Sequence, residues 1–165
     1  MQTYDISALK ILVLEKHILI RNLLTEVFRE FGIPTVQSTA DPVVAYEMFA
    51  EFPVDVILSD WCSGLDGMAF LNRVRKDPAS ANPFVPVIVI TANTELKHVC
   101  TARDTGMTEF LAKPVSAKMI YSRIVSIIES TRPYVRCSQF FGPDRRRRAA
   151  DGFIGQNRRD VSVLH

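Results

Sequence analysis

The chain has 165 residues, room for one domain and an appendage, and its 47% hydrophobic content supports a core without disulfide or metal staples. The formal charge of +2 is unevenly spread: residues 1–131 hold 12 Lys and Arg against 15 Asp and Glu, whereas residues 132–165 hold 8 Arg against 3 Asp. Three separated cysteines (Cys62, Cys100, Cys137) argue against a disulfide framework or zinc site, MQTYDISALK lacks the features of a leader, and no apolar run approaches the roughly 18–20 residues of a membrane span, so a reduced, soluble, cytoplasmic protein is expected.

Ile11–Leu14 is continuously apolar and β-branched, which predicts a strand covered on both faces. Leu19, Leu23, Leu24, Val27, Phe28 and Phe31 then recur at helical spacing, with Gly32 as a stop. Pro34–Gln37 is a short strand candidate. Asp41-Pro42 supplies an N-cap and a first helical proline, opening a helix with Val44, Ala45, Met48 and Phe49 inward. Val54–Leu58 is a second continuous strand, and Phe70, Leu71 and Val74 mark a helix ended by Asp77-Pro78. Val85–Ile90 is a strand, Glu95–Asp104 a weaker helix closed by Gly106, and Met107–Leu111 a short strand. Ser116 caps a last helix with Ile120, Ile124, Ile127 and Ile128 on one face.

Five β-α units imply an α/β fold with right-handed crossovers. The expected form is a flavodoxin-like, doubly wound five-stranded parallel sheet in the order 2-1-3-4-5, with helices on both faces. Beyond Arg132 the periodicity fades and Gly, Pro and Arg accumulate. The expected division is a domain over 1–131 and a basic, flexible tail over 132–165 that adds no core.

Ligands of open α/β sheets bind outside the carboxyl ends of the strands. There the chain places Glu15-Lys16, Ser59-Asp60, Thr91-Ala92 and Lys113-Pro114. An acid, a carboxylate able to act as nucleophile, a hydroxyl and an ammonium thus converge on one edge.

These residues carry a resemblance. ILVLE, VILSDW, Asp66-Gly67, PVIVITA and LAKP resemble the receiver domain of bacterial two-component response regulators, over about residues 9–130. The resemblance implies a CheY-like switch rather than an enzyme. Asp60 would accept a phosphoryl group from a histidine kinase or phosphotransfer protein, assisted by Thr91 and Lys113. Output would pass to a downstream protein target, and the resemblance allows a homodimer. It implies Mg²⁺ held by Glu15, Asp60 and the Cys62 backbone carbonyl, a switch formed by Thr91 and Phe110, and a cis Lys113-Pro114 bond.

Two features depart from that pattern. Lys16 stands where the family has a second acid, and the loop Trp61–Gly67 lacks the usual proline and is about one residue short. At an effective dielectric near 20 and about 5 Å, two unit charges interact by about 3 kcal/mol, so Lys16 should weaken or abolish Mg²⁺ binding. Its ammonium either runs out to solvent or pairs with Asp60 or Glu15. The second case favours an alternative function, a pseudo-receiver that binds partners without phosphorylation. Phe140-Phe141-Gly142-Pro143-Asp144 with Arg145–Arg148 resembles the tails of some single-domain receivers. With no helix-turn-helix in the last 34 residues, nucleic acid ranks last among partners, and no membrane contact is expected.

Overall fold

The computed structural model describes residues 4–62, 64–130, 132–137, 140–144 and 162–164, the last three as backbone only. Five strands, β1 (Lys10–Leu14), β2 (Thr35–Thr39), β3 (Val56–Asp60), β4 (Val87–Thr91) and β5 (Glu109–Ala112), form a parallel sheet in the order β2-β1-β3-β4-β5. The helices between and after them are α1 (Ile18–Glu30), α2 (Pro42–Glu51), α3 (Gly67–Lys76), α4 (Leu96–Thr105) and α5 (Ala117–Glu129).

Strand pleating divides the core into two layers. Leu12, Leu14, Ile57, Val87 and Val89 face α2 and α3, where they meet Ala45, Tyr46, Phe49, Phe70, Leu71 and Val74. Ile11, Val13, Val56, Leu58, Ile88, Ile90 and Leu111 face α1 and α5, against Leu24, Phe28, Ile120 and Ile124. This two-sided burial is why the strands read as unbroken apolar runs.

The expected boundary signals act as capping groups. Asp41 accepts the Val43 N–H at 2.7 Å, and Ser116 accepts the Met119 N–H at 3.3 Å. Gly106 ends α4 at φ 106°, where a side chain would be strained. The inward face of α1 is narrower than its periodicity predicts: Leu19 and Leu23 are exposed, and Leu24 and Phe28 carry the packing. Ile128 is likewise half out in solvent.

The expectation that the segment after 131 adds no core is corrected. β6 (Tyr134–Cys137), β7 (Phe140–Pro143) and β8 (Ser162–Leu164) form an antiparallel sheet in the order β7-β6-β8. Phe140 and Phe141 are buried, and β7 packs on α3 and α4. Tyr134, Phe141 and Phe84 form one aromatic cluster with ring centroids 5.2–5.8 Å apart. Arg132 anchors the entry to this sheet, donating to the Thr108 carbonyl at 3.0 Å and to Glu109 at 3.2 Å. The Arg145–Arg148 run lies outside the described residues. A chain ending at residue 131 is expected to melt below the full chain, by about 2–4 °C for each kcal/mol of lost packing. Calorimetric traces that superimpose would show that the added sheet contributes nothing to stability.

Candidate functional site

Glu15, Asp60, Thr91 and Lys113 come together at the carboxyl edge of the parallel sheet because β1, β3, β4 and β5 run side by side and stop in register. Lys113 is central. Its ammonium lies 2.8 Å from Glu15 Oε2 and 2.9 Å from Asp60 Oδ1. Both carboxylates are about 2% exposed. Burial disfavours the ammonium's charge, but its hydrogen bonds to Glu15 and Asp60 outweigh that and hold the Lys113 pKa above the ordinary lysine value. The Lys113-Pro114 bond is cis.

The remaining oxygens differ in use. Glu15 Oε1 accepts the His17 N–H at 2.9 Å, so both Glu15 oxygens are engaged. Asp60 Oδ2 is buried and has no hydrogen-bond partner among the described residues. The Thr91 hydroxyl donates to the Trp61 carbonyl at 2.6 Å and accepts the Asn93 N–H at 3.0 Å, which ties the loop before α4 to the loop after β3. Phe110 is partly buried against the α2–α3 layer.

The loop after Asp60 is shaped by close approach. A Cβ on Gly67 would lie 2.5 Å from the Asp60 carbonyl and would collide with the Trp61 indole, so only glycine fits there. Asp66 caps α3 by accepting the Ala69 N–H at 2.9 Å. The Cys62 carbonyl accepts the Leu65 N–H at 3.1 Å. Burial, aided by the neighbouring Asp60 carboxylate, pushes the Cys62 thiol up to about 11, so it is protonated at neutral pH.

The Lys16 Nζ lies 2.7 Å from where a Cβ on Gly64 would stand, and Gly64, at φ 82°, leaves that space open. Lys113 meets both Glu15 and Asp60. Arg21, which carries no sequence signal for a site, donates to the Glu15 and Lys16 carbonyls at 2.8 and 3.1 Å and fixes that backbone.

The fit to a divalent cation can be tested on these oxygens. Mg²⁺ needs near-octahedral oxygen donors and usually one or two carboxylates beside water. Here Glu15 is already engaged at both oxygens, the Cys62 carbonyl already accepts a hydrogen bond, and no cluster of three His, Cys, Asp or Glu residues able to hold a metal occurs among the described residues. Asp60 Oδ2 is the one donor of the expected set without a partner among the described residues. Each engaged oxygen keeps a second lone pair, so Glu15, Asp60 and the Cys62 carbonyl are the groups that would hold Mg²⁺, with Lys113 already balancing part of their charge.

The model of the response regulator receiver domain family matches residues 11–125, and the chain belongs to that family. It is 25% identical over 122 residues to the chemotaxis protein CheY-3 of Vibrio cholerae serotype O1, covering 73% of this chain and 92% of that protein. The chemotaxis protein CheY of Pseudomonas aeruginosa is also 25% identical over 122 residues, covering 73% and 97%. Among solved structures, CheY4 of Vibrio cholerae superimposes with a TM-score of 0.65 at 23% identity over 72% of this chain and 98% of that one. A CheY-like receiver from Methanospirillum hungatei gives 0.65 at 18% identity over 74% and 95%. The protein is thus a CheY-like receiver of two-component signalling, with the parallel sheet of that fold and an added carboxy-terminal sheet. No helix among the described residues is long and apolar enough to cross a membrane.

Proposed function

We propose that the chain is a phosphorelay receiver in which Asp60 accepts a phosphoryl group from a histidine kinase or phosphotransfer protein and output passes by protein–protein contact. The observation that carries this reading is the Lys113 ammonium held between two buried carboxylates, Glu15 and Asp60. A carboxylate oxygen attacks phosphorus, the phosphorus–nitrogen bond to the donor imidazole breaks, and its electron pair leaves with that nitrogen, giving an acyl phosphate on Asp60. The transferring group spreads negative charge over its equatorial oxygens, so positioning and charge neutralisation dominate. Lys113 is the cation already in place. The Thr91 hydroxyl would leave the Trp61 carbonyl and donate to a phosphoryl oxygen, and Phe110 would answer its movement as the switch aromatic. Mg²⁺ held by Glu15, Asp60 and the Cys62 carbonyl would add to the neutralisation that Lys113 supplies.

A second reading is favoured by a separate observation. Lys16 stands at the position of an acid, each Glu15 oxygen already accepts a hydrogen bond, and Lys113 already meets Asp60. A pocket so neutralised holds its pairing without phosphate, as a pseudo-receiver would, and partner binding would then be constitutive.

Intact mass after incubation with a small acyl-phosphate donor, with and without Mg²⁺, separates the two. Gain of one phosphoryl group that is lost in Asp60→Asn supports the relay. A protein that gains none under either condition, yet keeps its partner when Asp60 is changed to alanine, is a pseudo-receiver. Lys16→Asp is expected to raise Mg²⁺ affinity about tenfold, since a reversal of charge beside the ion contributes about a kcal/mol or more even when solvent-screened. Unchanged affinity by titration calorimetry would show that the Glu15 and Cys62 arrangement, rather than Lys16, sets metal binding.

A further inference from the structure

We propose that the β6–β7 hairpin is a conformational relay element, coupled through α4 to the Thr91 loop and latched by the buried guanidinium of Arg75. Arg75 is 2% exposed and donates to the Gly106 carbonyl at 2.9 Å, the Pro83 carbonyl at 2.8 Å and the Val85 carbonyl at 2.7 Å. The Tyr134 ring of the hairpin lies 5.5 Å from its central carbon. These partners are neutral, as is the Thr108 hydroxyl at 3.5 Å, and no ion pair of Arg75 is among the described ones. Burying a cation on neutral groups carries a desolvation cost that undocking of the hairpin would relieve. Undocking would also expose Phe140 and Phe141 and break the contact of Phe141 with Phe84, which opposes it. Two opposing terms of this kind narrow the free-energy gap between docked and undocked states.

The hairpin is in backbone contact with the end of α4. A Cβ on Gly106 would lie 2.6 Å from the Phe141 carbonyl, and one on Gly142 would lie 2.8 Å from the Gly106 Cα. With no side chain between them, a shift of α4 along its axis has to move the hairpin. α4 is the helix best placed to shift: Ala102 is its one buried residue, and its N-cap, Glu95, makes no side-chain capping bond. Its other end follows Asn93, whose N–H is held by the Thr91 hydroxyl. Release of that hydroxyl at the site therefore reaches the hairpin through one loosely packed helix.

This coupling deepens the receiver reading but does not require a phosphoryl group, so the two can fail separately. Hydrogen exchange by mass spectrometry on the full chain tests it with Thr91→Val, which removes the hydroxyl and keeps the shape. Residues 134–143 are expected to exchange about fivefold or more faster, within the range of allosteric coupling, while β1 and β3 stay unchanged. Tyr134→Leu, read in the reverse direction, is expected to speed exchange over 92–105. The β1 and β3 peptides report whether each variant is folded, and either variant decides the matter if the other does not fold. Hairpin exchange unchanged in Thr91→Val, or 92–105 unchanged in Tyr134→Leu, overturns the proposal whatever the phosphorylation assay gives.

Discussion

Lys113→Met is expected to lower the unfolding free energy by about 3–5 kcal/mol, the cost of breaking a buried ion pair by removing one partner. The variant leaves Glu15 and Asp60, each about 2% exposed, facing each other without the ammonium that lies within 2.9 Å of both. Lys113 itself is 21% exposed, so solvent screening places the loss toward the lower end of that range. Urea unfolding followed by the fluorescence of Trp61, the single tryptophan and the neighbour of Asp60, measures it. The pH dependence has a definite sign. Although burial opposes the charge, the bonds that Lys113 donates to Glu15 and Asp60 hold the folded-state pKa above the ordinary 10.5. The stabilising contribution is therefore complete below that value and disappears only as pH rises through the folded-state pKa. The gap between wild type and variant should be flat from neutral pH up to the ordinary lysine value and close only above it. Phosphoryl acceptance should be lost in the variant at every pH, since the ammonium that meets Asp60 Oδ1 is gone.

Arg75→Ala is expected to destabilise the chain by about 3–5 kcal/mol and to lower Tm by about 2–4 °C per kcal/mol. The change strands the carbonyls of Gly106, Pro83 and Val85 at the junction of α3, the β4 approach and the end of α4. Each buried carbonyl left without a donor costs about 1–3 kcal/mol. Arg75→Lys keeps the charge but not the fork of donors, so it should recover only a small part of the loss. A lysine variant as stable as the wild type would show that charge, not the three-way bonding, is what the site requires. Burial holds the guanidinium below its ordinary pKa, with Tyr134 acting in the opposite direction. An arginine nevertheless remains charged throughout the accessible range, so this destabilisation should not depend on pH.

The cluster of charges at the sheet's carboxyl edge was legible from residue order because its causes are local. Continuous apolar runs ending at Glu15, Asp60, Thr91 and Lys113 put each group at a strand's carboxyl end, and parallel pairing then makes them neighbours. Caps at Asp41, Ser116 and Gly106 set where the helices begin and end. The closeness of Lys16 to Gly64 was not legible, because it depends on the path of the loop after β3.

The amino-acid order alone determined the five-fold alternation of strand and helix, the two-sided burial of the sheet and the residues brought to its carboxyl edge. Those properties depend on periodicity and on capping groups a few residues apart. Tertiary structure alone decided the role of the carboxy-terminal segment and of Arg75. The β6 and β7 strands are four residues each, too short for a period-two pattern to stand out, and Tyr134 and Phe141 pack on Phe84, 50 residues before Tyr134. Arg75 sits in the polar stretch Arg73–Lys76, which reads as a solvated helix end. It is buried because β7 closes over α3 and α4, and the carbonyls that hold it come from 8 to 31 residues away.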